Sequence, residues 1–378
     1  MTVRIAPEAV ELLLIRLPLV EPFETSFGRT DVREILLVRV LQDGCEGWGE
    51  CVTDYAPLYS SECNGTARYV METFLIPALF GDPLRRVSDW PRRVAFVKGH
   101  PMAKAALEMA LWDLYGQMVG RSLRDLWGGT KDLVPVGVSV GIHPDVPSLL
   151  RTVERYRAEG YQRVKLKIKP GRDHEVLAAV RGAFPDALLT ADANAAYRWP
   201  RDRAVLVSMD AYRLQMLEQP FPPDDWLGHA RLQRALQTPI CLDESVTSLA
   251  TLRLALRLRA GQVINIKPGR VGGYTVARRI HDVCRRRGVP VWCGGMLETG
   301  IGRAANVALA SLPGFVLPND LSASRRYWVE DIVEPPFELQ PGGYLAVPTG
   351  PGLGVRVVRT RLPVQWSQTY RRDGEIRK

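Results

Sequence analysis

The chain has 378 residues, of which 46% are hydrophobic and 24% charged, a composition typical of a globular protein with a large core or two domains. Its net charge of +9 does not indicate a nucleic-acid partner, because the arginines are scattered and no aromatic-basic binding module is present; we expect a basic surface that attracts anionic metabolites. No apolar run approaches membrane-spanning length, the N-terminus lacks a signal-peptide core, and the six cysteines contain no Cys-x-x-Cys pair, so we expect a reduced, cytoplasmic protein with no membrane partner.

The first 130 residues combine strand-like and helical patterns. Apolar runs over residues 10–49 predict strands, and Asp43-Gly44 between two of them is the signal of a tight hairpin turn. The loop over residues 21–30 contains two phenylalanines and a glycine, which suit either a lid over a site or a surface anchor. Helical periodicity follows over residues 61–79 and, most strongly, over Pro101–Val119. We therefore predict an α+β domain over residues 1–130.

From residue 134 onward, short apolar runs alternate with helical patterns such as those over residues 146–159, 204–212 and 274–287. The runs are typical of parallel strands, which are buried on both faces. They lie at residues 136–140, 164–168, 188–191, 214–217, 240–242, 263–266, 289–293 and 315–317. Eight strands alternating with helices favour an α/β fold of the parallel (β/α)8 kind over an open sheet. We predict a modified TIM barrel over residues 131–334, with residues 335–378 packing back on the first domain and completing it as a cap.

Ionisable residues recur at or just after the ends of five successive predicted strands. Lys167 is followed by Asp192, Glu218, Asp243 and Lys267 at steps of 25, 26, 25 and 24 residues, which match one strand-plus-helix unit. Because catalytic side chains of a barrel come from the C-terminal ends of its strands, we expect the three carboxylates to converge on one point. Three negative charges so close together need a cation to neutralise them. A donor set made only of oxygen atoms favours Mg²⁺, or else Mn²⁺, over zinc. Each of these carboxylates alone is consistent with a helix cap or a salt bridge. Three carboxylates at matched sequence spacing favour a metal site.

Lys167 and Lys267 are predicted to face each other across the barrel, with the carboxylates between them. A divalent cation between two lysines suits removal of a proton next to a carboxylate, because the cation stabilises the enediolate that forms. From residue 164 to 169 the lysines alternate with aliphatic residues, so Lys165 shares a face with Lys167. As a neighbouring cation it is expected to lower the pKa of Lys167 toward that of a working base. The five histidines lie outside these positions, so we expect no histidine base.

The motifs around these positions resemble those of the enolase superfamily. They are Lys-x-Lys at 165–167, Asp-Ala-Asn at 192–194, Glu-Gln-Pro at 218–220, Asp-Glu-Ser at 243–245 and Lys-x-x-Arg-Val-Gly-Gly at 267–273. The lysine of the sixth strand is similar to that of the muconate-lactonising subgroup, and the resemblance covers nearly the whole chain. Within that subgroup, residues 292–315 and 317–328 are most similar to enzymes that form o-succinylbenzoate for menaquinone biosynthesis and also racemise N-succinylamino acids.

The resemblance implies a role for each candidate residue. Lys167 would remove the proton alpha to a carboxylate of the substrate and then help hydroxide to leave, while Lys267 would stabilise the enediolate from the opposite face. In racemisation the two lysines would exchange the roles of base and acid, and Lys165 would support them electrostatically. The implied substrate contacts are Phe23, Thr25, Ser26, Ser139, Gly295, Met296 and Leu297. The implied supporting residues are Asn194, Glu244, Asn265 and Arg270.

The resemblance also implies a small carboxylate substrate and a homo-oligomer assembled from dimers, up to an octamer. Members that epimerise dipeptides carry Asp-x-Asp on the eighth strand, whereas here Asp320 is followed by Leu321 and Ser322, which speaks against a dipeptide substrate. Three alternatives to a synthase remain open. They are an enzyme that is primarily an N-succinylamino acid racemase, a cycloisomerase of the muconate type, and a non-catalytic barrel that serves as a binding protein.

Overall fold

The computed structural model describes residues 3–25, 28–374 and 376–377. The chain begins with three antiparallel strands, β1 (Ala9–Thr25), β2 (Gly28–Gln42) and β3 (Cys45–Cys51). Asp43 and Gly44 join β2 to β3 as a two-residue turn, and both have positive φ angles, of 50° and 73°. This is the geometry that matches the twist of a hairpin, so the predicted hairpin turn is confirmed.

Helices cover this sheet. In chain order they are α1 (Asn64–Val70), a π-helical turn (Met71–Leu75), α2 (Ile76–Phe80), a 3₁₀ turn (Val87–Asp89), α3 (Trp90–Arg93), α4 (Pro101–Val119) and α5 (Leu123–Trp127). The helix α4 matches its prediction; its Ala, Leu and Met residues favour helix, and it ends at Gly120 in the left-handed conformation. The glycines of β3 let α4 approach closely, since a Cβ at Gly49 would lie 2.1 Å from the carbonyl oxygen of Ala106.

Seven parallel strands form the second sheet. After a short β4 (Leu133–Pro135) they are β5 (Val138–Val140), β6 (Val164–Lys167), β7 (Leu189–Asp192), β8 (Met216–Glu218), β9 (Ile240–Leu242), β10 (Val263–Ile266) and β11 (Val291–Cys293). Each strand lies beside its predecessor in the chain, as in a (β/α) barrel. The intervening helices are α6 (Val146–Glu159), α7 (Asp173–Ala183), α8 (Arg203–Ser208) with a 3₁₀ turn (Met209–Tyr212), α9 (Trp226–Ala235), α10 (Leu249–Leu258), α11 (Pro268–Val271), α12 (Tyr274–Arg286) and α13 (Gly300–Ala310). The predicted modified TIM barrel is confirmed.

The prediction of an eighth strand over residues 315–317 is wrong. Within the described residues, this part of the chain makes only single bridges, one from Phe315 to Val291 and one from Asn319, two residues past the segment, to Val136. Prolines on both sides of the segment cannot donate backbone hydrogen bonds, which prevents a regular ladder. These bridges nevertheless connect the segment to β11 on one side and to the residues before β5 on the other.

The C-terminal segment returns to the first sheet. It contains a 3₁₀ turn (Ser324–Arg326), β12 (Val333–Glu334), β13 (Tyr344–Ala346), β14 (Arg356–Val357), a 3₁₀ turn (Arg359–Arg361), β15 (Val364–Arg371) and β16 (Ile376–Arg377). The strand β15 pairs antiparallel with β1, and β13 pairs with β4. Buried apolar side chains of the first sheet and of the barrel form one continuous core. None of the helices in the described ranges combines the length and the apolar character that crossing a membrane requires.

Candidate active site

The C-terminal ends of neighbouring parallel strands place five ionisable side chains at one edge of the barrel. Lys167 ends β6 in register with Asp192 at the end of β7, which is in turn in register with Glu218 at the end of β8. Asp243 directly follows β9, and Lys267 directly follows β10. A lysine therefore stands at each end of a row of three carboxylates.

Two lysines of β6 bind the first part of this row. The ammonium nitrogen of Lys167 lies 2.7 Å from Asp192 Oδ2 and 2.7 Å from Asn194 Oδ1. Lys165 Nζ lies 3.1 Å from Asp192 Oδ2 and 3.1 Å from Glu218 Oε2. Lys165 is buried, whereas Lys167 is only partly buried. Lys167 is thus the more accessible of the two amines, and Lys165 lies deeper between the carboxylates of Asp192 and Glu218.

The other end of the row is organised around Asp243. Its Oδ2 lies 2.7 Å from Lys267 Nζ, and its Oδ1 accepts a hydrogen bond from Arg270 Nη1. Arg270 also donates from Nε to the carbonyl oxygen of Val246 at 3.0 Å, which fixes the guanidinium. Lys267 makes a second contact, at 3.0 Å, with the hydroxyl oxygen of Tyr59 from the N-terminal domain. Asp243 therefore holds two cations, and only Lys267 lines the cavity described below.

Buried charges set the protonation of these groups. Burial alone would lower the pKa of Lys165, but the carboxylates of Asp320, Glu218 and Asp192 outweigh burial and raise the pKa well above its usual range. Burial likewise opposes the charge on Lys267, and its acidic neighbours, including Tyr59, again raise the pKa. Burial would raise the pKa of Asp192, yet the ammonium groups of Lys167 and Lys165 hold it below its usual range. The acidic neighbours of Lys165 and Lys267 therefore favour the ammonium form of both lysines.

Two of the residues predicted to support the site, Asn194 and Asn265, hydrogen-bond to its ionisable side chains. The side chain of Asn194 donates a hydrogen bond to Glu244 Oε1 at 3.2 Å and accepts one from Lys167, so it links Lys167 to the loop that follows β9. Asn265 donates to Glu218 Oε1 at 2.8 Å. Asn194 has a positive φ of 41°, a conformation that asparagine tolerates better than most residues and that turns its side chain back toward Lys167.

A cavity of about 100 Å³ lies over this row, between the barrel and the N-terminal domain. Among the residues predicted to contact substrate, Phe23, Thr25, Ser139, Gly295, Met296 and Leu297 line it, together with Lys165, Lys167, Asn194 and Lys267. Ser26 lies outside the described residues. The three carboxylates of the row, Asn265 and Arg270 are buried and do not line the cavity, and neither does the partly buried Glu244. Gly295 is required here, since a Cβ would lie 2.4 Å from the carbonyl oxygen of Asp320.

Several cavity residues were not predicted from the sequence. Tyr59, Arg33, Glu62 and Met102 come from the N-terminal domain, where no periodic pattern relates them to the barrel. The sequence distinguishes Asp320 only through the difference between its motif and the Asp-x-Asp of dipeptide epimerases. In the structure its carboxylate contacts Lys165 and Ser139 inside the cavity. Its position after the last apolar run of the barrel was a signal that it shares the edge of the sheet with the other carboxylates.

Comparison with protein families assigns this architecture. Residues 9–128 match the N-terminal domain of the mandelate racemase and muconate lactonizing enzyme family, and residues 148–361 match the enolase C-terminal domain-like family. The chain belongs to the enolase superfamily and is an enzyme of its muconate-lactonising branch.

Similar proteins narrow the class of enzyme within this branch. The chain is 54% identical to an N-succinylamino acid racemase from an Amycolatopsis species, over 92% of this chain and 94% of that protein. It is 50% identical to an o-succinylbenzoate synthase from Geobacillus kaustophilus, over 94% of each chain. A solved structure of an enolase superfamily member from Listeria innocua superimposes with a TM-score of 0.93 at 39% identity, over 97% of this chain and 99% of that one.

Members of this superfamily generally use a divalent metal ion. Convergence of the three carboxylates on a metal ion stays a prediction, and among the described residues no three Asp, Glu, His or Cys side chains form a group that would hold an ion. The reason is that each carboxylate turns toward a cation, Lys165 and Lys167 on one side and Lys267 and Arg270 on the other. The donor set itself fits a hard cation, because it is all oxygen, fully buried and borne by adjacent strand ends. In addition, the buried Oε2 atom of Glu244 lies next to it and has no hydrogen-bond partner among the described residues.

Proposed function

We propose that the protein dehydrates a succinyl-bearing hydroxycyclohexadiene carboxylate to o-succinylbenzoate and racemises N-succinylamino acids in the same site. Both reactions begin with removal of a proton next to a carboxylate. The observation that carries the proposal is the placement of Lys167 and Lys267 at opposite ends of the carboxylate row, with both amines lining one cavity. The identity to relatives of both names supports the pairing of the two reactions.

The chemistry requires the negative charge of the enediolate to be stabilised. We propose that Asp192, Glu218 and Asp243 hold Mg²⁺, or else Mn²⁺. Such an ion supplies Lewis-acid stabilisation of the substrate carboxylate as charge develops, worth several kcal/mol. The ammonium group of Lys267 adds to that stabilisation from its own side of the cavity.

Lys167 is the proposed base. In its neutral form it accepts the alpha proton, which converts the substrate to an enediolate and the amine to an ammonium group. In the dehydration, that ammonium group returns its proton to the departing hydroxide, so the products are o-succinylbenzoate and water. Asp192 and Asn194 orient the amine throughout, because both accept hydrogen bonds from Nζ.

In racemisation the second proton comes from the other side. The acidic neighbours of Lys267 favour its ammonium form, which can donate a proton to the opposite face of the enediolate. For the other enantiomer the roles reverse: Lys267 must act as the base and Lys167 as the acid. A positioned acid or base of this kind contributes roughly 10²–10⁴-fold to the rate.

The cavity wall suits a substrate with an apolar part and an acyl tail. Phe23 and Thr25 approach from the N-terminal domain, and Gly295, Met296 and Leu297 border the opposite side, where we place the succinyl group. Ser139 lies at the base of the cavity. We also propose a cytoplasmic protein, supported by six free cysteines, that assembles from dimers; light scattering on the purified protein measures the latter.

The test uses both reactions. Purified protein with Mg²⁺ is assayed for o-succinylbenzoate by absorbance and for racemisation of N-succinyl-L-phenylalanine by polarimetry. We expect turnover in both assays, and loss of both in Lys167→Ala with an unchanged circular dichroism spectrum. Lys169→Ala is the matched control, since this next lysine of the same alternation makes no side-chain contact with the carboxylate row.

Three outcomes contradict the proposal. Faster turnover of cis,cis-muconate than of either succinyl substrate would favour a cycloisomerase. Failure to bind Mg²⁺ in calorimetry, together with no turnover, would favour a binding protein. Synthase activity that survives in Lys167→Ala would exclude Lys167 as the base.

A further inference from the structure

Asp320 lies inside the barrel mouth and contacts three polar side chains. Its Oδ2 lies 2.6 Å from Lys165 Nζ and accepts a hydrogen bond from Ser139 Oγ at 2.9 Å. Its Oδ1 accepts from Arg163 Nη2. The carboxylate thus joins two cations, one of which, Lys165, belongs to the proposed active site.

Arg163 is a fully buried cation. Its guanidinium lies 4.5 Å from the ring centre of Trp292, and its Nε and Nη1 have no hydrogen-bond partner among the described residues. Asp320 is its ion-pair partner. A buried charge in a low-dielectric interior needs a counterion, so Arg163 both requires the Asp320 carboxylate and holds it in one orientation.

Lys165 is held from two sides. Asp192 at the end of β7 and Glu218 at the end of β8 each lie 3.1 Å from its Nζ, and Asp320, in the segment after β11, lies on the other side at the shorter distance of 2.6 Å. An ammonium group has three N–H donors, so three carboxylates can engage all of them. Removal of Asp320 leaves the two remaining carboxylates and the like charge of Arg163 acting on Lys165, and on that side only the ring of Trp292, whose centre lies 5.0 Å from Nζ, remains in contact with it.

We propose that Asp320 is a positioning residue, which fixes the ammonium group of Lys165 between Asp192 and Glu218 and is itself oriented by Arg163. The inference rests on the proposed function, in which Lys165 is the fixed cation beside the base Lys167. A shift of about 1 Å in such a group can lower the rate roughly 10²-fold without weakening substrate binding to the same extent.

The competing explanation is that Asp320 only neutralises Arg163. The variants Asp320→Asn, Arg163→Met and the double variant separate the two. Asp320→Asn keeps an acceptor for Ser139 and removes the charge, so we expect kcat to fall about 10–100-fold with KM changed less than about threefold. The double variant removes both buried charges and is expected to regain thermal stability, because a buried ion pair is often replaced by apolar groups without loss. Its kcat is expected to stay low.

Recovery of wild-type kcat in the double variant would overturn the proposal, since Asp320 would then serve only Arg163. If Asp320→Asn does not fold, kcat of the double variant is compared with that of the wild type instead. The matched control is Asp331→Asn, which removes another buried carboxylate; Asp331 pairs with Arg303 at 3.6 Å and caps Gly300. We expect it to lower Tm while kcat and KM stay at the wild-type values.

Crystal structures of the variants provide a measurement that does not need turnover. We expect Lys165 Nζ in Asp320→Asn and in the double variant to lie about 1 Å or more from its wild-type position. An unmoved Lys165 would overturn the positioning role even if activity falls. Wild-type protein that turns over neither succinyl substrate would contradict the proposed function alone, and the displacement of Lys165 would still decide the role of Asp320.

Discussion

The ammonium nitrogen of Lys267 lies 3.0 Å from the hydroxyl oxygen of Tyr59 and 5.0 Å from the centre of its ring, although the two residues are 208 positions apart in the chain. Lys267 belongs to the barrel, and Tyr59 belongs to a loop of the N-terminal domain. The N-terminal domain therefore lines the cavity and also contacts one of the two proposed acid–base groups.

This contact leads to a prediction for Tyr59→Phe. The phenyl ring remains over the ammonium group, but the hydrogen-bond partner is lost, at a cost of roughly 0.5–1.5 kcal/mol or somewhat more for a charged partner. We expect kcat/KM for racemisation to fall about tenfold, equally for the two enantiomers because their equilibrium constant is one. The dehydration needs no proton from Lys267, so we expect it to lose less. Polarimetry and absorbance assays on one preparation measure both.

The control for this variant is Tyr55→Phe. Tyr55 lies in the same loop, is exposed and does not line the cavity. Unchanged rates in Tyr55→Phe combined with a selective loss of racemisation in Tyr59→Phe support the contact. Equal losses of both reactions in Tyr59→Phe would instead indicate that the hydroxyl only shapes the cavity.

Lys267→Met separates the two lysines. The substitution keeps the apolar stem and removes the charge, so the enantiomer that presents its proton to Lys167 is still expected to exchange it with solvent. The other enantiomer loses its base. In D₂O we therefore expect deuterium incorporation into one enantiomer without racemisation, with the racemisation rate lowered by roughly 10²–10⁴-fold. Proton NMR measures the exchange, and exchange of both enantiomers at similar rates would contradict the assignment of one lysine to each face.

Removal of a divalent cation is expected to stop both reactions. Three buried carboxylates repel one another unless cations neutralise them, and the proposed ion does this while it stabilises the enediolate. After dialysis against EDTA we expect loss of turnover, with recovery on addition of Mg²⁺. Because an ion that binds the folded state stabilises it, Mg²⁺ at 100 times its Kd should raise the free energy of unfolding by about 2.7 kcal/mol.

Asp192→Asn is expected to weaken Mg²⁺ binding in calorimetry and to lose most of that stabilisation. Asp282→Asn, at a carboxylate whose side chain is 56% exposed on the outside of the barrel, is the control and should bind Mg²⁺ as the wild type does. Turnover that persists in EDTA at the full wild-type rate would contradict the metal requirement.

The regular geometry of the barrel determines how much of the candidate site could be predicted from the sequence. Lys167, Asp192, Glu218, Asp243 and Lys267 could be found from spacing alone, because consecutive parallel strands end at the same edge and each strand-helix unit has a similar length. The orientation of the carboxylates could not be predicted, since it depends on which of several nearby cations each one meets.

Contacts across the two domains were also beyond prediction. Tyr59 lies in an irregular loop, and neither propensity nor periodicity relates such a residue to a strand end 208 positions later. The eighth strand was predicted from its apolar run, but flanking prolines limit it to isolated bridges. Asp320, which follows this segment, contacts the side chains of Lys165, Ser139 and Arg163 from neighbouring parts of the barrel.

A buried carboxylate between the domains makes stability depend on pH. Glu50 of β3 accepts hydrogen bonds from the backbone N–H of Thr299, at 3.1 Å, and of Gly302, at 3.0 Å, at the beginning of α13. Burial, together with the nearby charge of Glu298, raises the pKa of Glu50 to about 7 from its ordinary 4.5. Between these two values the folded protein keeps a proton that the unfolded chain has lost. The free energy of unfolding therefore falls as the pH rises from about 4.5 to about 7, by a contribution on the order of 3 kcal/mol.

Glu50→Gln removes this proton while it keeps an oxygen acceptor for α13. We expect urea unfolding at a series of pH values between 5 and 8 to show a shallower decrease of the unfolding free energy in Glu50→Gln than in the wild type. The slope is not expected to vanish, because burial also raises the pKa of Glu108 to about 7 and that of Asp113 to about 6. Glu338→Gln, at an exposed position, is the control and should keep the wild-type slope. A slope unchanged in Glu50→Gln would show that Glu50 is ionised in the folded protein throughout this range.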